Sequence, residues 1–228
     1  MTGRGNSTTS RARTPRVELA RIRAAQTGEV TQLRERIMEA TIEACGERGY
    51  REATVQGIID RYGGHRQQFY KHFAGKAECY AVAYEFEVER LYAALRARAE
   101  AEPSWHRGLV SLLSGLGEFL CERPKFARGL LVEVHVAGGP ALLKRLEVFE
   151  RLTRAVDSAR HETGSRHSPP PVTATFMVGA IEAAVTSSLT RAEPADFAAA
   201  VPELAHMILA AYFGDDIAGE ETEALRAA

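Results

Sequence analysis

The sequence predicts an all-α fold, and three observations carry that prediction. Apolar residues recur at three- and four-residue steps through most of the chain. Glycine and proline punctuate those stretches where helices stop and start. No alternating strand pattern, hairpin dipeptide or internal repeat interrupts them. With 228 residues, 45% apolar and 26% charged, the chain can bury a sizeable core and belongs with globular rather than disordered proteins.

From Val30 the pattern turns helical. Leu33, Ile37, Ala40, Ala44 and Cys45 form one apolar stripe, with Arg34, Glu35, Glu39, Glu43 and Glu47 outside it and Gly49 as the stop. Thr54 suits an N-cap, because its hydroxyl can accept a bond from a first-turn amide. Val55, Ile58 and Ile59 then give a short second helix, and Tyr62-Gly63-Gly64 is a turn. A third short helix covers His65–His72, with Phe69 and Phe73 on its apolar side. Lys76 opens a long fourth helix that runs to Ala101 and stops before Pro103. Helices Trp105–Cys121, Pro124–Val136 and Ala141–His161 follow, the last with Leu142, Leu146, Phe149, Leu152 and Val156 as its stripe. After the loop Gly164–Pro171 come two more, Val172–Thr190 and Asp196–Phe213, with Pro202 as a kink or start within the second. The residues after Gly214 are polar and read as frayed.

The net charge of −1 hides a split. Residues 1–76 hold 14 Lys+Arg against 8 Asp+Glu, and residues 77–228 hold 15 against 22, so a +6 part precedes a −7 part. Residues 1–29 lack apolar periodicity and carry Arg4, Arg11, Arg13, Arg16, Arg21 and Arg23. They read as a disordered basic arm, either simply solvated or able to lie along phosphates. These residues contain no apolar secretory h-region, and the isolated Cys45, Cys79 and Cys121 form no disulfide framework and read as small buried hydrophobes, so a cytoplasmic location is expected. Val172–Thr190 carries one charge, Glu182, and is read as a helix buried between others, not a membrane span.

The unit over 54–73 carries the functional signal. In a helix-turn-helix the second helix projects from the body and must present groups that reach bases and phosphates. His65-Arg66-Gln67-Gln68-Phe69-Tyr70-Lys71-His72 offers such groups on all but Phe69. Arginine pairs with guanine in bidentate fashion, and glutamine with adenine. On these residues alone, a solvated surface helix is an equal alternative.

Residues 34–82 resemble the DNA-binding domain of the tetracycline-repressor-like (TetR) family of bacterial transcription regulators. IMEATIEACGERGY at 37–50 resembles that family's first helix, ATVQGII at 53–59 its second, and YGGHRQQFYKHFAGKAEC at 62–79 its turn, recognition helix and fourth-helix start. The spacing of Phe69-Tyr70, His72-Phe73 and Lys76 is the most specific part. The turn departs from the usual Ala-Gly-Val-Ser. Gly64 lacks the apolar anchor, His65 replaces a capping serine, and Gln67 stands where a small residue is common, which implies an atypical entry to the recognition helix.

The resemblance implies an N-terminal three-helix helix-turn-helix DNA-binding domain (30–76) after the arm (1–29), and a C-terminal helical ligand-binding and dimerisation domain (77–228). It implies that Thr54 and Gln56 face the phosphate backbone or an edge base, and that Arg66, Gln67 and Gln68 read bases. Tyr70, Lys71 and His72 would bind phosphates or bases, Lys76 a phosphate at a helix N-terminus, and His65 would add a contact. Packing for Tyr70 and plain solvation for His65 and His72 are the competing readings.

The implied partners are a palindromic double-stranded operator, a second copy of the chain and a small-molecule effector. The homodimer would form through Val172–Thr190 and Asp196–Phe213. Trp105, Phe119, His135, Phe149 and Glu182 are the candidate pocket residues. For Glu182 an ion pair with an arginine is the structural alternative. The mixed aliphatic and aromatic region suits an apolar or amphipathic ligand. No phosphate loop, HExxH or GxSxG motif occurs, so no enzyme activity, metal or cofactor is expected. The reading is a ligand-responsive repressor. A helical protein-interaction module without sequence-specific DNA binding is the alternative.

Overall fold

A computed structural model describes residues 15–162 and 165–227, with side chains described from 30 to 162 and from 165 to 226. The described residues are helical and contain no strand. From Ile37 onward they form one compact unit. The helices are α1 (Pro15–Arg48), α2 (Val55–Tyr62), α3 (Arg66–His72), α4 (Lys76–Glu100), α5 (Trp105–Glu122), α6 (Pro124–Leu131), α7 (Val134–Ala137), α8 (Gly139–Asp157), α9 (Val172–Arg191), α10 (Pro194–Phe213) and α11 (Asp215–Ala227), with a 3₁₀ turn at Ser158–His161.

Four expectations are corrected. Helix α1 begins at Pro15 rather than Val30, so residues 15–29 of the expected disordered arm are helical. The rest of that arm lies outside the described residues. The expected helix Pro124–Val136 is broken into α6 and α7 around Glu133, a buried carboxylate (4% exposed) that turns back toward the end of α1. The tail after Gly214 is helix α11, not a frayed end. Its buried stripe is made of Ala218 and Thr222, and the threonine hydroxyl is satisfied by the Ala218 carbonyl at 2.6 Å. Cys121 is exposed on α5, whereas Cys45 and Cys79 are buried as expected.

The N-terminal bundle buries Ile37, Ile42, Cys45, Ile58, Ile59, Phe69, Phe73 and Tyr80. Thr41 sits fully inside because its hydroxyl bonds the Ile37 carbonyl at 2.8 Å and contacts the Cys79 sulfur at 3.1 Å. Burial pushes the Cys45 thiol up to about 12, which leaves it inert. The larger core lies among α5, α9 and α10, with Leu113, Leu120, Val185, Leu189, Phe197, Val201, Ile208, Leu209 and Phe213 inside. By length and composition α9 could cross a membrane. It buries Ala174, Val178, Val185 and Leu189 in this core.

Helix α6 ties the body to α1. A Cβ on Gly46 would lie 1.7 Å from the Lys125 carbonyl oxygen, and one on Gly129 would lie 2.0 Å from the Ile42 oxygen. Two glycines therefore let α1 and α6 touch backbone to backbone. Tyr80 donates to the Gly129 carbonyl at 2.8 Å, and Arg128 to the Gly46 carbonyl at 3.0 Å. Three acidic residues in the second half of α1 are paired with cations: Glu39 and Glu43 with Arg123, Glu43 and Glu47 with Arg61, and Glu47 with Lys125.

Candidate nucleic-acid interface and internal cavity

Helix α2 begins where Thr54, in extended geometry, accepts the Gly57 amide at 3.1 Å. It ends at Gly63, whose φ of +70° closes the helix in the left-handed region and sends its amide to the Ile59 carbonyl. Gly64 is demanded by contact. A Cβ there would sit 1.9 Å from Cε2 of Tyr62. The Tyr62 ring, 4% exposed, thus fills the space an apolar residue at 64 would otherwise occupy, and its hydroxyl donates to the His65 carbonyl at 2.9 Å.

His65 is the extended N-cap of α3 and is exposed. Its amide is satisfied by Oε1 of Gln68 at 3.0 Å, the reciprocal half of a capping box. Gln68 is half-buried and serves as a cap, a role that the base-reading assignment missed. At 100° per residue, Arg66, Gln67, Tyr70 and Lys71 span about 140° of the helix, opposite Phe69. All four are exposed and Phe69 is fully buried, so they form the outward face. Arg66 lies over the Tyr70 ring at 5.2 Å and its Nη2 is 3.4 Å from the Tyr70 hydroxyl. Tyr70, 44% exposed, meets Phe69 edge-on. It belongs to the surface, with only its inner edge in packing. His72 is half-buried against Phe73, on the flank of that face. Thr54 and Gln56 are exposed at the start of α2, where the Gln56 amide also donates to Asp60 at 2.8 Å.

Lys76 is the main correction. Its ammonium does not project outward but donates to the carbonyls of Tyr50 at 2.5 Å, Ala53 at 2.8 Å and Arg51 at 3.3 Å, and lies 4.5 Å from the Tyr50 ring centre. An ammonium has three N–H groups, and three carbonyls take them. Lys76 latches the α1–α2 connection to α4 instead of holding a phosphate. The opposite side of the same connection is held by Glu133, which accepts the Tyr50 amide at 2.7 Å and pairs with Arg128 at 3.1 Å. The sequence marks Tyr50 only as the last residue of the 37–50 motif and does not single out Glu133. A lone acid in an otherwise apolar stretch was the available signal.

The second feature is a cavity of about 680 Å³ within the body, bounded by α4, α5, α8 and α9 and by the Leu131–His135 segment. Of the expected pocket residues, Trp105, His135, Phe149 and Glu182 line it. Phe119 does not: it packs edge-on against Phe126 at 6.2 Å. Leucine and valine are the commonest residues of the wall. At the end near Tyr84, Glu182 is ion-paired with Arg145 of the same chain, so the pocket and ion-pair readings of this residue hold together; both residues also line a shallower surface pocket beside α9. Burial pushes the Glu182 carboxyl up, against the pull of Arg145. Burial and the Arg145 charge both push His135 down.

Residues 37–83 match the family model of the bacterial regulatory proteins, tetR family. The sequence has no match among curated proteins. Solved structures share the fold across most of the chain. The fatty acid degradation regulator FadR from Bacillus halodurans superposes with a TM-score of 0.67 at 18% identity, over 76% of this chain and 96% of that one. FadR from Bacillus subtilis in complex with stearoyl-CoA gives 0.65 at 15% identity, over 77% and 97%. SmeT, the repressor of the Stenotrophomonas maltophilia multidrug efflux pump SmeDEF, gives 0.65 at 20% identity, over 81% and 92%. Residues 37–83 thus match a tetR-family helix-turn-helix domain, and the chain shares the all-helical fold of these solved structures.

Proposed function

We propose that the protein is a ligand-responsive repressor that binds a palindromic operator as a homodimer. The observation that carries this is the outward face of α3, where Arg66, Gln67, Tyr70 and Lys71 stand together on a capped and buried scaffold. Arg66 and Gln67 have the donors and acceptors to read base edges, while His65, Tyr70 and Lys71 suit phosphates and flanking bases. Thr54 and Gln56 add contacts from α2. Residues 30–76 are the DNA reader, the basic residues before them supply further phosphate contacts, and residues 77–228 bind ligand and dimerise.

The dimer reading is supported by an unpartnered face. Val172, Phe176, Ala180 and Ala183 form an exposed stripe along α9, and Met207 is exposed on α10; Phe176 is 72% exposed and Met207 57%. Large apolar side chains left in water on two long helices favour a two-fold contact with the same helices of a second copy. Two recognition helices would then meet successive major grooves.

The cavity supports a ligand-bound state. The B. subtilis FadR structure holds stearoyl-CoA and SmeT represses a drug efflux pump, and a mostly apolar cavity of about 680 Å³ suits an amphipathic molecule here. Leu131, Val134 and His135 line it, and Glu133 between them holds Tyr50 at the α1–α2 connection. A ligand that moves this wall moves the frame of the helix-turn-helix. It shifts the operator equilibrium only by its differential affinity for the two states.

The test is selection of bound fragments from the source genome by the full-length protein, followed by titration of candidate ligands against the selected site. A palindromic site released by a ligand supports the reading. Fragments without shared sequence would refute it and favour the protein-interaction alternative.

A further inference from the structure

We propose that the cavity selects an elongated lipophilic cation, of the alkyl- or arylammonium class, over a carboxylate of the same length. This rests on the reading of the cavity as the effector site. The cavity follows α4 from Tyr84 to Glu100, roughly 24 Å of helix axis at 1.5 Å per residue. Its middle is lined by Leu91, Leu95, Leu109, Leu112 and Leu116, which suit an apolar chain.

The charges lie at the two ends. Arg96 and Arg145 stand against Glu100, Glu102, Glu162 and Glu182 on the wall, which leaves a formal charge of −2 with His135 neutral. At the end near Tyr84, Arg145 is already held by Glu182. An anionic head could reach that guanidinium only by displacing a half-buried carboxylate from its cation, which is costly. At the outer end Arg96 is committed to Glu100 at 2.7 Å, and the nearby Arg98 is held by both oxygens of Glu118. Glu102 and Glu162 form no ion pair among the described residues. They are half-exposed and exposed, so this end meets solvent. A ligand that reaches this end of the cavity therefore meets these two carboxylates and an aromatic ring, Trp105. The carboxylates favour a cation by charge, while the Trp105 ring, packed 5.8 Å from Phe213, adds apolar wall at this end.

Trp105 is the single tryptophan of the chain, so its fluorescence reports occupancy directly. The full-length protein is titrated with dodecylammonium, dodecanol and dodecanoate, each below its aggregation threshold, and the same probes are tested for release of the selected operator. Dodecylammonium should bind about tenfold or more tighter than dodecanoate at low salt, with dodecanol between them, and the ratio should shrink near 1 M salt, where the Debye length falls to about 3 Å. The double variant Glu102→Gln, Glu162→Gln changes two exposed side chains and should cut the preference by about threefold or more while leaving dodecanol unchanged. Binding of all three probes without this order, or an order indifferent to the two substitutions, overturns the charge selection and leaves the effector site standing. Absence of any Trp105 response to all three overturns the effector site itself.

Discussion

Replacing Lys76 with alanine separates two physical roles that the same residue could hold. In the free chain its ammonium bonds three backbone carbonyls, two of them within 2.8 Å, and lies over the Tyr50 ring. Hydrogen bonds to charged groups contribute about 1.5–3 kcal/mol each, but bonds to one ammonium are not additive and this side chain is partly solvated. The expected loss is about 2–4 kcal/mol. For a unit of this size that lowers Tm by roughly 5–15 °C. The assay is thermal unfolding by circular dichroism, paired with operator affinity measured across a range of salt. A latch predicts the drop in Tm and an unchanged salt slope among molecules that remain folded. A phosphate ligand predicts the reverse, an unchanged Tm and a salt slope shallower by about one. That second pattern would refute the latch.

Further outcomes follow from the same contacts. Gly129→Ala drives a methyl into the Ile42 backbone, which has no soft neighbour to yield; a loss of about 1–3 kcal/mol or more is expected in denaturant unfolding. Arg66→Ala should alter sequence preference in fragment selection, while Lys71→Ala should weaken all sites alike and reduce the salt slope by about one. Glu133→Gln should keep an acceptor for the Tyr50 amide but lose the charge opposite Arg128, and should weaken the link between ligand titration and operator release. Burial raises the Glu182 carboxyl, so folding favours its protonated form. The stability it contributes is full below its unfolded value near pH 4.5 and is lost as pH rises through the raised folded value. Glu182→Gln, fixed neutral, should flatten that part of the pH–stability curve.

The helix-turn-helix was legible because each part leaves a local mark: a capping threonine at 54, glycines at 63 and 64, and aromatics at 69 and 73. Their partners lie within a few residues. Lys76 was misread because its acceptors are backbone carbonyls more than twenty residues away, and no side chain at 50–53 marks them. The capping role of Gln68 escaped because a cap and a base reader need the same amide. The α6–α7 break escaped because Glu133 is stabilised by the Tyr50 amide, 83 residues earlier. Helix α11 escaped because its inward face uses Thr222, polar in sequence but satisfied one turn back. Four of the five pocket residues were legible as aromatic or ionisable groups in apolar helices. Phe119 met the same description, and only packing sends it against Phe126.

The most direct measurement is the stoichiometry and salt dependence of binding to the selected operator, by analytical ultracentrifugation and titration over a range of ionic strength. The account predicts two chains per palindromic site and an affinity that falls steeply with salt, as several phosphates release their counterions. One chain per site, or an affinity indifferent to salt, would contradict it.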